Sequence, residues 1–262
     1  MRLNNDRITK LMKDQQHPIE IHGLSVSYGS KRVLTNIFLR IETGSLVGVI
    51  GPNGAGKSTL FKSILGLIDT TAGEISIFGN EIQDNRIRIA YVPQRDDVDW
   101  TFPATVMDIV LMGRYPHKKI FQRLSRKDHE IAIKALQDLG IEEFKDRQIG
   151  ALSGGQQQRV FIARALAQEA DIFMLDEPFV GVDITTEEKI ISILKSLADQ
   201  GKTLLVVHHD LSTVNQYFDT VLLLNQRLIS YGKTESTFTE ENIAKAYGAQ
   251  LTILHKTGMV DQ

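Results

Sequence analysis

The segment at residues 51–59, GPNGAGKST, constrains this chain more than any other feature. It matches G-x-x-x-x-G-K-[ST], in which the glycines let the backbone curl so that N–H groups face phosphate oxygens. An apolar run, SLVGVIG, precedes it, and a helical pattern, KSTLFKSILGL, follows it. The helix directs its positive end toward the same anion. The sequence therefore predicts a nucleotide-phosphate site made by Gly51, Pro52, Asn53, Gly54, Ala55, Gly56, Lys57, Ser58 and Thr59.

Two side chains of this loop are suited to bind the phosphates and their metal ion. Lys57 supplies a mobile positive charge for the β and γ phosphates, and Ser58 supplies a hydroxyl for Mg²⁺. The loop therefore predicts Mg²⁺ beside the phosphates.

Strand and helix patterns alternate along the chain. Apolar runs at 172–176 and 203–209 are typical of strands buried on both faces of a parallel sheet. Helical patterns at 57–67, 128–140, 154–168 and 185–201 separate the strands, and after residue 219 a strand-like segment precedes a polar helix near 239–247. This alternation predicts an α/β fold with a parallel core sheet.

Two regions depart from that pattern. Residues 19–28 alternate apolar and polar side chains, which predicts strands with one solvated face. Residues from about 95 to 168 have helical patterns without a buried strand. We expect this second region to be a helical subdomain inserted into the sheet domain.

Composition excludes several classes of protein. The 30 basic and 32 acidic residues give a net charge of −2, which argues against a broad nucleic-acid-binding face. Because the chain has no cysteine, it has neither a disulfide framework nor a thiolate metal site. No stretch approaches the ~18 apolar residues of a membrane span. Residues 1–18 lack an apolar core, and we expect them to be a loosely attached leader that is dispensable for nucleotide binding.

Two acids end the apolar run IFMLDEP. Buried charge is costly unless it is paired or bound to a metal, and ligands collect beyond the carboxyl ends of parallel strands. Asp176 is therefore predicted to bind Mg²⁺, and Glu177 to orient or deprotonate an attacking water.

Four further residues are weaker candidates. His208 and His209 follow the strand at 203–207, and either could contact the γ-phosphate. Tyr28 could stack on a base, and Gln94 could reach Mg²⁺ or water through its amide oxygen.

The segment LSGGQ at 152–156 begins a helix without carrying an acid, histidine or lysine. Ser153 can cap this helix, whose N-terminus attracts an anion. With GPNGAGKST, YVPQ, FMLDEP and HHD in this order, the chain resembles the nucleotide-binding subunit of an ATP-binding-cassette (ABC) transporter over about residues 19–250.

The resemblance implies a fold: a P-loop NTPase core with a parallel sheet, an antiparallel β subdomain and an inserted helical subdomain. It implies a nucleotide-binding domain over 19–251, followed by a tail at 252–262. It also implies ATP and Mg²⁺ as ligands, and a homodimer in which each subunit completes the other's site.

The resemblance also assigns roles to individual residues. Glu177, His209 and Gln94 would be catalytic, with His209 rather than His208 as the switch histidine. Tyr28 would stack on adenine, and Ser58, Gln94 and Asp176 would hold Mg²⁺. The contacts made to the partner subunit's nucleotide would come from Ser153, Gly154, Gly155, Gln156 and Asp183.

A finer resemblance is to the branch that serves metal importers. The segments at 92–115 and 176–190, including PFVGVD, look like subunits for manganese, zinc or iron, and manganese is our first expectation. Partners would be a membrane permease and, indirectly, an extracytoplasmic metal-binding protein, at the cytoplasmic face of the membrane and without nucleic acid. Apolar contacts with the permease would come from Trp100, Phe102, Met107 and Met112, about half of which should instead be core.

Two alternatives remain open. One is an ABC subunit for a siderophore, haem or an exported substrate. The other is a non-transport ABC protein that acts on DNA or the ribosome; such relatives usually carry two cassettes or a long coiled coil, and this chain has one cassette and no sustained heptads.

Overall fold

Two sheets and a group of helices make up the computed structural model, which describes residues 17–248. The leader at 1–18 and the tail at 252–262 therefore lie wholly or mostly outside the described residues. The strands are β1 (Ile19–Tyr28), β2 (Lys31–Ile41), β3 (Leu46–Ile50), β4 (Ala72–Ile77), β5 (Ile89–Val92), β6 (Ile172–Asp176), β7 (Thr203–Val207), β8 (Thr220–Asn225) and β9 (Arg227–Lys233). The helices are α1 (Lys57–Ile64), α2 (Ile82–Asn85), α3 (Val106–Met112), α4 (Arg126–Asp138), α5 (Gly154–Ala167), α6 (Ile184–Asp199), α7 (Val214–Tyr217), α8 (Thr234–Thr237) and α9 (Glu240–Tyr247).

The larger sheet has the order β5-β6-β7-β3-β8-β9. Its first five strands are parallel, and β9 is an antiparallel edge strand. The ends of β5, β6, β7 and β3 therefore meet at one edge, where four loops can share a site.

The smaller sheet is antiparallel and has the order β2-β1-β4. Inward residues of this sheet, such as Ile21 and Leu39, pack with Val47 and Val49 of β3 and with Phe61 of α1. Residues on the other face of β3, Leu46 and Ile50, belong to a second core cluster with the helices. Both faces of the parallel sheet are thus covered, as its continuous apolar strands require.

Three helices, α3, α4 and α5, lie between residues 95 and 168, and no strand lies in this fully described range. Each begins with a capping box, in which a serine or threonine hydroxyl and a side chain three residues later bond to each other's backbone N–H. The sequence signals are TVMD, SRKD and SGGQ. Together, the parallel core, the antiparallel sheet and this helical region confirm the predicted fold class.

Some element bounds differ from those predicted. The strand predicted at 203–209 ends at Val207, because His208 turns into a cluster of aromatic rings and an Asx turn begins at Asp210. The helix predicted at 57–67 ends at Ile64, before Gly66 adopts a positive φ of 63°. The short strands β4 and β5 were not predicted, since neither alternates over a long enough run.

Candidate functional site

The loop after β3 holds its lysine against its own carbonyl groups. Lys57 Nζ donates hydrogen bonds to the oxygens of Gly51 (2.7 Å) and Pro52 (3.1 Å). Burial lowers the pKa of Lys57, while the negative charges of Glu177 and Asp176 act in the opposite direction. An ammonium has three protons, so one remains free for a phosphate oxygen.

Position 56 accepts only glycine. It precedes α1 with φ 98°, and a Cβ at this position would lie 2.6 Å from Leu34 Cδ2. The left-handed backbone and the close approach of β2 both exclude a side chain. The first turn of α1 therefore begins without a side-chain cap.

Three neighbouring strands place polar side chains at one point. Gln94 follows β5, Glu177 follows β6 and His209 follows β7. Gln94 Nε2 donates to Glu177 Oε2 at 3.1 Å, and His209 Nε2 lies 2.6 Å from Glu177 Oε1. Glu177 has φ 53°, a strained conformation for a residue other than glycine. The structure therefore brings together the three residues that the resemblance makes catalytic.

Asp176 is a buried carboxylate with no hydrogen-bond partner in the described part of the chain. The residue is 1% exposed, and neither of its carboxylate oxygens accepts a hydrogen bond of normal geometry. Burial raises the pKa of Asp176, and the nearby Ser58 hydroxyl and the charge of Lys57 oppose that rise. An ionised carboxylate that is buried without a partner is far more costly than an uncharged polar group, unless a cation compensates it. Asp176 and Ser58 therefore fit a hard divalent cation such as Mg²⁺.

The two adjacent histidines have different environments. His208 is 5% exposed and lies among Phe179, Tyr217 and Phe218 at ring-centroid distances of 5.4–5.8 Å. Burial lowers its pKa to about 4. Its Nε2 lies 2.7 Å from Thr213 Oγ1, whereas His209 faces the candidate site. The geometry thus places His209 at the site and His208 in the core, which the sequence left open.

A cavity of about 710 Å³ joins these groups. Among the residues predicted to bind nucleotide, Tyr28 and residues 53–59 line it, together with Gln94, Glu177 and His209. Tyr28 is 51% exposed, which leaves a ring face available for stacking. The cavity is not lined by Gly51, Pro52 or Asp176. The carbonyl oxygens of Gly51 and Pro52 instead bind Lys57, which does line it.

Sequence reasoning missed four lining residues. Lys31, Arg32, Val33 and Gln226 also form the wall of this cavity. The available signal was the pair of basic residues in YGSKRV, Lys31 and Arg32, which begins three residues after Tyr28. An anionic ligand favours cations at the mouth of its site. Nothing local marks Gln226, which reaches the site only because β8 neighbours β3 in the sheet.

The first turn of α5 lies outside this cavity. Ser153 Oγ accepts from the Gln156 N–H (3.4 Å), and Gln156 Oε1 accepts from the Ser153 N–H (2.9 Å). The predicted cap at Ser153 is confirmed. Gly155 has a reason within its own chain to lack a side chain, because a Cβ there would lie 2.7 Å from the carbonyl oxygen of Gly181.

Asp183 also lies outside the cavity and caps a helix. It accepts hydrogen bonds from the N–H (2.9 Å) and hydroxyl (2.7 Å) of Thr186 in α6, and these bonds lower its pKa. None of the residues predicted to act in trans thus meets the loop of the same chain. Their roles toward a partner's nucleotide stay predictions.

Arg95 links the candidate site to α5. It follows Gln94 directly, and its Nη2 lies 3.3 Å from Gln157 Oε1. The Arg95 carbonyl accepts a hydrogen bond from Trp100 Nε1 at 2.9 Å. A Cβ on Gly154 would lie 3.0 Å from the guanidinium carbon of Arg95. The segment after β5 is therefore in contact with both Glu177 and the start of α5.

Of the four residues expected to contact a permease, two pack inside. Trp100 makes an edge contact with Phe161 at 5.1 Å, and Met107 packs against the helical core. Phe102 and Met112 are exposed. Among the described residues, no helix is long and apolar enough to cross a membrane, and no three acids or histidines are grouped as a metal site.

A family model and the similar curated proteins all point to one family. The model of the family described as ABC transporter matches residues 34–180. The manganese transport system ATP-binding protein MntB of Bacillus subtilis (strain 168) is 53% identical over 237 residues, covering 90% of this chain and 95% of that protein. The zinc transport system ATP-binding protein TroB of Treponema pallidum (strain Nichols) is 50% identical over 236 residues, covering 90% and 89%.

Solved structures agree in fold. A metal-chelate type ABC transporter in an inward-facing conformation matches with a TM-score of 0.77 at 30% identity, covering 88% of this chain and 89% of that one. The dimeric structure of MJ0796, a bacterial ABC transporter cassette, matches with a TM-score of 0.74 at 30% identity, covering 82% and 98%. The chain belongs to the ABC transporter family, as one of its ATP-binding, ATP-hydrolysing subunits.

Proposed function

We propose that this chain hydrolyses Mg·ATP to power the import of a divalent metal ion, manganese, through a membrane permease. The observation that carries the proposal is the convergence of Gln94, Glu177 and His209 above the phosphate loop. Relatives about 50% identical over most of the chain are ATP-binding proteins of manganese and zinc transport systems.

ATP binding follows from the loop and its neighbours. The backbone of residues 53–59 and the positive end of α1 cradle the phosphates, and the free proton of Lys57 bonds to a terminal phosphate oxygen. Tyr28 stacks on the adenine at the open side of the cavity, and Lys31 and Arg32 add positive charge at its mouth.

Glu177 is the group that activates water. Each of its carboxylate oxygens already has one partner, His209 or Gln94, and each retains a lone pair for a water proton. The two partners hold the base in one orientation, so little reorganisation is needed when the water attacks the γ-phosphate. Gln94 and His209 are therefore proposed to orient Glu177 and to sense the γ-phosphate.

Ser58, Asp176 and Gln94 are the residues proposed to hold Mg²⁺. Support comes from the unpartnered, buried carboxylate of Asp176 and from the neighbouring Ser58 hydroxyl. When bound, Mg²⁺ neutralises charge on the β and γ phosphates.

ABC ATP-binding subunits dimerise and work with membrane permeases. We propose a homodimer in which Ser153, Gly155 and Gln156 of one protomer contact the nucleotide of the other, with Gly154 and Asp183 beside them. The capped, partly exposed first turn of α5 supports this, because its free N–H groups attract a γ-phosphate. The dimer would sit peripherally at the cytoplasmic face of the membrane, and an extracytoplasmic binding protein would deliver the metal.

The direct test is metal uptake in cells that lack this chain. Loss of the chain should abolish uptake of radioactive manganese, and the wild-type chain should restore it while Glu177→Gln should not. The control is Glu143→Gln, an exposed carboxamide substitution in the helical region, which should restore uptake fully. Uptake of radioactive zinc, measured in parallel, decides between these two metals: a defect in zinc alone would reject manganese, and a defect in neither would reject the import of either metal.

A further inference from the structure

One turn of the helical region exposes two large apolar side chains to solvent. Ile120 is 86% exposed and Phe121 is fully exposed. The turn is closed by a hydrogen bond from the Gln122 N–H to the Lys119 carbonyl (2.9 Å), and the Lys119 N–H donates to Gln122 Oε1 (3.1 Å). Ile120 and Phe121 are therefore the two central residues of the turn and project from its tip.

The backbone at this tip is strained. Phe121 has φ 68°, a conformation that glycine adopts easily and that is an outlier for a bulky aromatic residue. A glycine or asparagine would close the same turn at less cost. The chain instead places a phenylalanine where its ring has no contact to gain inside the described fold.

Positive charge surrounds the tip. Residues 112–127 contain none of the 32 acidic residues of the chain and six of its 30 basic ones: Arg114, Lys118, Lys119, Arg123, Arg126 and Lys127. Lys119, Arg123 and Lys127 are exposed and form no ion pair with any residue between 17 and 248. In a chain with net charge −2, this is a marked local excess.

Buried ion pairs hold the base of the turn. Asp128 accepts from Arg114 Nε (3.2 Å) and pairs with Lys118 Nζ (2.5 Å), and these residues are mostly buried. The Lys118 hydrogen bond and the Ser125 hydroxyl hold the pKa of Asp128 well below its usual range. Arg114 Nη1 also donates to the Ala167 carbonyl at 2.6 Å, which ties the turn to the end of α5. The tip is thus held in place before anything binds to it.

We infer that this turn, hereafter the Ile120–Phe121 tip, inserts into the interface of an anionic lipid membrane. Exposed aromatic and aliphatic side chains flanked by lysine and arginine suit that interface, where acyl chains take the apolar groups and lipid phosphates attract the cations. A protein partner would need a pocket shaped for a convex tip, whereas a bilayer deforms around it. The proposal goes beyond ATP-driven transport, since it concerns a lipid contact made by the chain itself.

Cosedimentation of the full-length chain with vesicles tests the inference. The chain should bind phosphatidylcholine vesicles that contain phosphatidylglycerol, bind those of phosphatidylcholine alone far more weakly, and lose binding as salt rises. Ile120→Ser/Phe121→Ser should weaken binding about 10-fold or more, because two apolar anchors are lost. The substitution of Lys119, Arg123 and Lys127 by Gln should cost roughly 5-fold per charge.

The matched control removes two exposed apolar side chains elsewhere. Phe38→Ser/Leu67→Ser should bind vesicles as the wild type does. All variants should keep wild-type ATPase activity and thermal unfolding, because the tip touches no nucleotide-site residue. Absence of vesicle binding, equal binding to neutral and anionic vesicles, or equal loss in the control would overturn the inference.

A labelled cysteine reports insertion directly, since the chain has no cysteine of its own. An environment-sensitive dye on Phe121→Cys should shift its emission to the blue on addition of anionic vesicles, and the dye on Thr70→Cys, an exposed loop position, should not. A dye at position 121 that shows no shift would overturn insertion. If Ile120→Ser/Phe121→Ser instead fails to copurify with the permease in neutral detergent, the tip is a protein contact and the lipid assignment is wrong.

Discussion

The carboxyl edge of the parallel sheet and the first turn of α5 are the two regions proposed to contact nucleotide, and they are built differently. At the sheet edge, Lys57, Asp176 and Glu177 are wholly or largely buried and lie in one electrostatic environment. At the start of α5 there is no acid, histidine or lysine, and its polar side chains are used in a capping box. One region supplies reactive groups, and the other supplies backbone N–H groups and shape.

This difference fits the proposal that each protomer carries two incomplete parts of a shared site. The cavity at the sheet edge includes none of the residues 153–156, although Arg95 connects the two regions through Gln94 and Gln157. Backbone N–H groups alone can add hydrogen bonds to a phosphate that another region already binds. The comparison therefore predicts large catalytic effects at the sheet edge and smaller, mainly structural effects at the α5 turn.

The largest effect should come from Glu177→Gln. The amide cannot accept a proton from water, so hydrolysis should slow roughly 10²–10⁴-fold, about 3–5 kcal/mol of barrier, while ATP still binds. Phosphate release and ATP affinity measure the two effects, and ATP-dependent dimers should accumulate on gel filtration. Glu143→Gln is the control, and an unchanged turnover in Glu177→Gln would contradict the division between reactive and shaping regions.

The second-largest effect concerns His208, which is adjacent to His209 in the chain but is buried in the core. The pKa of His208 is about 4 in the folded chain, below its ordinary value of 6.5, so the unfolded chain binds more protons between these values. Stability from neutral His208 is fully present above about pH 6.5 and is lost as the pH falls toward 4, by about 3 kcal/mol. Denaturant unfolding at several pH values should show this loss.

His208→Phe should remove that pH dependence, because a ring without a charge fits among Phe179, Tyr217 and Phe218. His209→Phe is the adjacent control: it should keep the pH-dependent loss of stability and should impair hydrolysis instead. If the two substitutions behave alike, the separation of a core histidine from a site histidine fails.

A third effect concerns phosphate affinity. Lys57→Ala should weaken ATP binding about 10- to 100-fold, since a charged hydrogen bond to phosphate contributes about 1.5–3 kcal/mol. Lys62→Ala, in the same helix and paired with Asp97 at 3.4 Å, should bind ATP as the wild type does. Equilibrium binding of a fluorescent ATP analogue measures both. Equal affinities in both variants would show that the loop backbone alone holds the nucleotide.

The smallest effect is expected at the α5 turn. Gly155→Ala would place a Cβ 2.7 Å from the backbone carbonyl oxygen of Gly181, and the resulting shift should cost about 1–2 kcal/mol of unfolding free energy. Gly154→Ala meets only the movable end of Arg95 at 3.0 Å and should leave stability unchanged or raise it, because alanine favours the helix. Urea unfolding compares them. Equal stabilities would show that Gly155 is not required by packing within the chain.

Sequence patterns predicted the long, strongly patterned parts well. The buried strands β3 and β6, the helices α1 and α5, and the cap at Ser153 lie where local residues specify them. Patterns failed for β4 and β5, because four to six residues alternate over too short a run to identify a strand, and pairing with neighbouring strands makes them strands. Gln226 was missed for the same reason, since its place in the site depends on which strands are adjacent. Lys31 had a local signal, the basic pair three residues after Tyr28, that was not used.

By itself, the sequence determined the phosphate loop, the acids after a buried strand and the capped glycine turn, since each is a local pattern of backbone freedom, charge and periodicity. Only the tertiary structure decided that His209 reaches Glu177 while His208 enters the core, and that Asp176 is buried without a partner. It also decided that the carbonyl of Gly181 excludes a side chain from Gly155. These outcomes depend on strand order and on groups distant in the chain, and the direction a side chain takes beyond a strand end is set by the neighbours it meets there.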